Sequence, residues 1–97
     1  MHVVTRRRLL EFGKKHPSTI SALDHWYRMV KHTDFASFSE LKKTFSGVDH
    51  VGRFIIFDIG GNKVRLIAYV VYGKKRIYIR HILTHKEYDK GKWREEV

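Results

Sequence analysis

Residues 63 to 84 read KVRLIAYVVYGKKRIYIRHILT, two runs of β-branched and aromatic residues flanking Gly73-Lys74, and no other stretch restricts the fold as strongly. Runs of this length and composition, broken by a glycine, form a β-hairpin. With a loop of even length Tyr72 pairs with Lys75, and because side chains alternate along a strand, that register decides which residues share a face. Val64, Leu66, Ala68, Val70 and Tyr72 then join Ile77, Ile79, His81 and Leu83 on an apolar face able to cover a core. The other face carries Lys63, Arg65, Ile67, Tyr69 and Val71 beside Arg76, Tyr78, Arg80, Ile82 and Thr84. Arg65 opposite Ile82, with Ile67 opposite Arg80, makes the two arginines diagonal neighbours. Like charges side by side weaken a sheet, so such a cluster invites a phosphate.

The segment that feeds the hairpin, Arg53 to Ile59 (RFIIFDI), is apolar on both faces, which predicts a central strand. Gly60-Gly61-Asn62 reverses the chain after it. At the other end, His2-Val3-Val4 suits a short edge strand. Thr5 is placed to cap a helix with Leu9, Leu10 and Phe12 inward and Arg6, Arg7 and Arg8 solvated. Gly13 and the His16-Pro17 step end that helix, and Pro17 opens a second. In the second, Ile20, Leu23, Tyr27 and Val30 recur at helical spacing with Trp26 and Met29 beside them, the stripe of a helix docked on a sheet. Ser37-Phe38-Ser39-Glu40 fits a capping box, with Phe38, Leu41 and Phe45 on the inner face of a short third helix. Residues 1–97 thus read as one α+β domain: a short N-terminal strand, then two to three helices packed on a C-terminal antiparallel sheet. Lys90 to Val97 mix charge with Trp93 and are expected to fray.

Twenty Lys and Arg against ten Asp and Glu leave a formal charge of +10, spread along the chain instead of gathered in a tail. Such an excess calls for a nucleic acid or another phosphate-rich partner, and for an acidic protein if it is to be neutralised. Cysteine is absent, which excludes disulfides and thiolate zinc sites. His81 and His85 stand four apart, a spacing that on a strand does not bring both to one ion, so neither a metal nor another cofactor is expected. No window has the length of a membrane span or a signal peptide, and the expected location is cytoplasmic.

The motifs Gly61-Asn62-Lys63-Val64-Arg65-Leu66, Tyr78-Ile79-Arg80 and Thr84-His85-Lys86-Glu87-Tyr88-Asp89 resemble the HigB toxins of bacterial toxin-antitoxin pairs, within the wider RelE-like group. The opening Met1-His2-Val3-Val4 and the segment His25-Trp26-Tyr27 are similar as well. The resemblance implies a compact RelE-like domain and cleavage of messenger RNA, in most relatives on the ribosome. It also implies a helix-turn-helix antitoxin that silences the enzyme, with operator DNA contacted only through the antitoxin complex.

Cutting RNA without a metal uses the 2′-hydroxyl as nucleophile and needs in-line geometry, a base, charge stabilisation on the phosphorane and an acid for the leaving oxygen. Arg65 and Arg80 are the expected grip on the scissile phosphate, because a guanidinium is always charged and forked. Lys63 is a candidate for stabilising charge or accepting a proton, His85 for acid or base, and Tyr88 for stacking or aligning the nucleophile. Lys86, Asn62, Arg76 and Tyr78 are expected to contact flanking RNA. Competing structural roles exist for each. Asp58 falls opposite Lys63 or Arg65 depending on the turn register, so an ion pair explains either cation; His85 can belong to a helix cap, Arg80 to a stacked surface and Tyr88 to a core lid. Glu87 and Asp89 are expected to face away from a phosphate. Tyr69 and Tyr78 are the stacking platforms of an alternative, a non-catalytic basic RNA-binding module, although Tyr69 in mid-sheet is expected to be packed under the helices or the cap.

Overall fold

The computed structural model describes residues 1–61 and 63–96; Asn62, expected to contact RNA, lies outside the described residues. The fold is α+β. Its strands are β1 (His2–Val4), β2 (Asp49–Val51), β3 (Phe54–Ile59), β4 (Val64–Val71) and β5 (Arg76–Thr84). Its helices are α1 (Arg7–Lys15), α2 (Ile20–Lys31), α3 (Phe38–Thr44) and α4 (His85–Asp89), with 3-10 turns at Pro17–Thr19, Tyr72–Lys74 and Lys92–Glu96. Among the described residues the strands form one five-stranded sheet, ordered β1-β5-β4-β3-β2.

The antiparallel meander β3-β4-β5 is as the sequence predicts, and both of its edges are extended. β1 pairs parallel to β5, a connection that needs a long crossover and receives one from the intervening helices. β2, three residues long and without a pattern of its own, pairs with β3 and leaves β4 as the middle strand. The expectation of a central strand at residues 53–59 holds in that β3 is flanked on both sides, by β4 and β2, and its burial on both faces comes from a second cluster that covers its far side.

α1, α2 and α3 cover one face of the sheet. Leu9, Leu23, Trp26, Val30 and Leu41 meet Ile55, Phe57, Leu66, Ala68, Ile77 and Ile79 in the main core. Three details of the helical hairpin differ from the sequence reading. Thr5 does not cap α1; it turns the chain at φ 68, and its hydroxyl donates to the Ile79 carbonyl at 3.2 Å. Gly13 does not end α1 but lies within it, where an added Cβ would come 2.9 Å from Ile20 Cγ1, so the glycine is what lets the start of α2 approach. Leu10 and Ile20, expected inward, remain 55% and 51% exposed along this hairpin.

The decisive correction lies in the hairpin itself. Next to the turn, Val71 pairs with Arg76 and Tyr69 with Tyr78, as an even loop requires. Between Ile67 and Ala68 the register shifts: Ala68 faces Ile79 but Ile67 faces His81, which makes Arg80 the extra residue of a β-bulge. Every side chain of β5 beyond it changes face. His81 and Leu83 lie on the far side from the helices, Ile82 packs against the main core, and Arg65 stands opposite Leu83 instead of Ile82. The bulge is held from outside the sheet, since the Arg8 guanidinium donates to the Arg80 carbonyl.

Candidate nucleic-acid interface

The far face of the sheet has two parts. At one end a small second core, Phe54, Ile56, Ile67 and Trp93, is closed by Leu83 and Tyr88. Of the tail expected to fray, Val97 lies outside the described residues, and Lys90 to Glu96 are anchored: Trp93 is 2% exposed, its Nε1 donates to the Tyr88 carbonyl at 3.1 Å, and the two rings stack with centroids 4.9 Å apart. At the other end Arg53, Tyr69, Lys74, Tyr78 and Arg80 surround an open bay. Tyr69 is 43% exposed and lies 6.5 Å from the Tyr78 ring, so it is not packed under helices or cap as expected. Its face is the one the helices leave uncovered. Arg76, opposite Val71, is exposed beyond it.

Arg65 sits at the border of the second core. Its Nη1 donates to Asp58 Oδ1 at 2.8 Å and its guanidinium lies 5.4 Å from the centre of the Tyr88 ring. The competing ion-pair reading of Asp58 is thus realised with Arg65, its strand partner. Arg80 donates to Glu96 Oε1 at 2.6 Å, and His81 shares the other oxygen of the same carboxylate. The bond from Arg80, then that from His81, holds the Glu96 carboxyl below the usual carboxylate range. The two arginines share a face but are not the diagonal neighbours expected: the bulge puts Arg80 three positions from Leu83, Arg65's partner, roughly 10 Å along the strand.

α4 begins at Thr84, whose hydroxyl accepts from the Glu87 N–H while the Glu87 carboxylate accepts from the Thr84 N–H, a complete capping box. The Thr84 backbone bond draws the Glu87 carboxyl below its ordinary value, so Glu87 is turned back onto the helix start instead of facing a partner. His85, on the same turn, points Nε2 at Asp89 Oδ2 at 3.2 Å, and Lys86 is exposed beside it. Lys63 stands apart. It lies in the turn before β4 and lines a different cleft, with His25 and Asp58, between that turn and the start of α2.

Three contributors were not picked out from the sequence: Glu96, Trp93 and Arg53. Arg53 lines the bay and donates to the Glu96 carbonyl at 2.6 Å. The Tyr88-to-Trp93 aromatic spacing is the one signal that the tail is anchored. The arginines at 6, 7 and 8 are likewise engaged: Arg6 over the Tyr27 ring at 4.2 Å, Arg7 with Glu11 at 3.4 Å, Arg8 on the bulge. What the far face offers chemically is a row of guanidinium groups, Arg65 and Arg80 paired with carboxylates and Arg53 bonded to a carbonyl, next to the exposed Tyr69 and half-buried Tyr78. That combination suits phosphates and unstacked bases. No helix of the described residues is long and apolar enough to cross a membrane.

Residues 19–91 match the family described as HigB toxin, the RelE-like toxic component of a toxin-antitoxin system. The chain is similar to the mRNA interferase HigB of Escherichia coli O6:H1, 36% identical over 93 residues that cover 93% of this chain and 90% of that protein. It is also similar to the mRNA interferase toxin HigB of Escherichia coli strain K12, 30% identical over 92 residues, with 92% and 88% covered. The mRNA interferase HigB of Shigella flexneri shows the same 30%.

Proposed function

The chain belongs to the HigB toxins, the RelE-like toxic components of toxin-antitoxin systems, and from that membership we propose that it is an mRNA interferase, an endoribonuclease that cuts messenger RNA and so stops translation. Residues 1–97 act as one toxin domain in the cytoplasm. The observation that carries the reading is the face of the sheet that the helices leave uncovered, where Arg65 lies over Tyr88 at one end and Arg80 lines a bay with the exposed Tyr69 and half-buried Tyr78 at the other.

The chemistry needs only the RNA and the protein. A base removes the 2′-hydroxyl proton, the oxygen attacks the adjacent phosphorus, and the 5′-oxygen leaves with a proton from an acid, giving a 2′,3′-cyclic phosphate and a 5′-hydroxyl. Arg65 takes the non-bridging oxygens, exchanging part of its bond to Asp58 for a phosphate that gathers charge in the transition state. Tyr88, held by Trp93, presents its ring beside that guanidinium for stacking. His85 carries the imidazole that exchanges the proton, oriented by Asp89. Arg80, Arg76, Tyr78 and Lys86 bind the flanking strand, and Lys63 meets it at the far turn. The bay is open and its two arginines, Arg53 and Arg80, start out bonded to Glu96, so the ribosome supplies the bent messenger that the sheet does not shape by itself. A helix-turn-helix antitoxin neutralises the toxin and carries it to operator DNA.

Expression of the chain alone, with transcript ends mapped, tests this. Growth arrest with new 5′-hydroxyl ends is expected, and Arg65→Lys, which keeps the charge opposite Asp58 but loses the fork, should reduce cutting by about 100-fold, the scale of one lost transition-state donor. The exposed Tyr69 and Tyr78 pair favours a second reading, a non-catalytic RNA-binding module. RNA bound by the purified chain, with or without ribosomes, and recovered without new ends would select that reading.

A further inference from the structure

On the helix side of the Asp58–Arg65 pair lies a cleft of about 490 Å³ between the start of α2 and the β3–β4 turn. Its walls are apolar, formed by Trp26, Phe45, Ile59 and Val64. Its polar groups are Ser18, Ser21, His25 and Lys63, with Asp58 on the side shared with Arg65. One feature of the wall is unexplained by folding. The indole N–H of Trp93 has its acceptor in Tyr88, whereas the indole N–H of Trp26, on a residue 2% exposed, is buried without an acceptor among the described residues. A buried donor left unpaired costs free energy. Phe57 meets the Trp26 ring edge-on at 5.2 Å from the core side of the wall.

We propose that this cleft takes an unstacked nucleobase of the RNA strand, next to the phosphate held by Arg65, with a ring acceptor receiving the Trp26 N–H. The inference rests on the RNA-cutting reading above and names where that strand goes. Three observations choose a base over a bare phosphate. The walls are aromatic and aliphatic, which suits a flat ring. The missing partner is one neutral acceptor, and every base edge offers one. Asp58 and Lys63 both line the cleft, so their charges offset and a bare phosphate meets no net cationic lining. Lys63 and His25 meet the sugar-phosphate that follows the base, which gives Lys63 a role apart from the arginines of the open face. Asp58 belongs to both places, bonded to Arg65 and bordering the cleft, so a base in the cleft and a phosphate on Arg65 are adjacent parts of one strand.

The test follows the two indole N–H resonances of the full chain by NMR, assigned with Trp26→Phe and Trp93→Phe. The chain is titrated with each of the four nucleoside 5′-monophosphates and with ribose 5-phosphate. At least one nucleotide is expected to move the Trp26 resonance saturably and leave that of Trp93 in place, while ribose 5-phosphate moves neither. Ala22 also lines the cleft, and Ala22→Leu, which narrows it, should weaken that response at least tenfold with the Trp93 resonance unchanged as the check on folding. Silence of Trp26 toward all four nucleotides, or an equal shift with ribose 5-phosphate, overturns the proposal, the latter by making the cleft an anion site. A Trp26 shift in a chain that makes no RNA ends keeps the cleft and removes the nuclease; cut RNA with a silent Trp26 does the reverse.

Discussion

The two faces of the sheet are built from the same strands and made stable in different ways. The helix-covered face is apolar at nearly every inward position, and α1, α2 and α3 bury it in one core. The far face is apolar over only part of its length, where a single tryptophan from a 3-10 turn closes a cluster of four buried residues. What this teaches is a division of labour: the covered face supplies cohesion, which leaves the far face free to expose tyrosines and crowd arginines that would weaken a sheet lacking such support.

Truncating one aromatic on each face measures that division. Phe57 is 1% exposed and meets both Trp26 and Phe45 edge-on, so Phe57→Ala should cost about 4 kcal/mol. A loss of this size is a large share of the stability of any domain of this length. Trp93→Ala should cost about 3 kcal/mol, because its smaller cluster lies near solvent and can partly collapse. Urea unfolding by circular dichroism reads both, and each variant should still unfold in a single transition. An unmoved midpoint for Trp93→Ala would mean that the tail is not part of the cooperative structure and that the far face stands without it.

A smaller effect should separate function from cohesion on the far face. Tyr69 is exposed and touches its neighbour Tyr78, so Tyr69→Ala should leave the unfolding midpoint unchanged yet weaken single-stranded RNA binding by about tenfold, as loss of one stacked base does. Fluorescence anisotropy with a short labelled RNA measures it. A large loss of stability with unaltered affinity would place Tyr69 among the structural residues after all.

How much of this was legible in the sequence depends on how far away each cause lies. The pairing of Tyr69 with Tyr78 follows from the even turn next to it, Tyr72 to Lys75, and Ser37 capping the Glu40 N–H is written in four consecutive residues. The bulge at Arg80 is not written nearby: the group that takes up its carbonyl is Arg8, 72 positions earlier. That one inserted residue moved His81 and Leu83 across the sheet and separated two arginines that strand alternation alone puts side by side. Thr84 and Glu87 carry a capping box in plain spacing, so the entry to α4 was readable as structure, and with it the orientation of Glu87. The tail was nearly unreadable for the opposite reason, since beyond the Tyr88-to-Trp93 spacing its mixed charges have no pattern until Trp93 meets Ile56 and Ile67.

The same tail supplies the smallest expected effect. Glu96 bonds Arg80 and His81, so in the free protein it occupies a guanidinium that the RNA would otherwise engage. Glu96→Gln keeps the shape and removes the charge, and RNA affinity should rise by roughly threefold, the scale of an exposed ion pair. Acidity should reproduce the change along a predictable path. Because Arg80 and His81 depress the Glu96 carboxyl in the folded protein, its contribution to stability is fully present above the ordinary glutamate range and is lost as pH falls through the depressed value. The thermal midpoint of the wild-type chain should therefore exceed that of Glu96→Gln by a small margin above the ordinary glutamate range, with the two curves converging in stronger acid. A margin that persisted unchanged to the acid limit would show that Glu96 acts through packing, and that Arg80 is as available to RNA with the carboxylate present as without it.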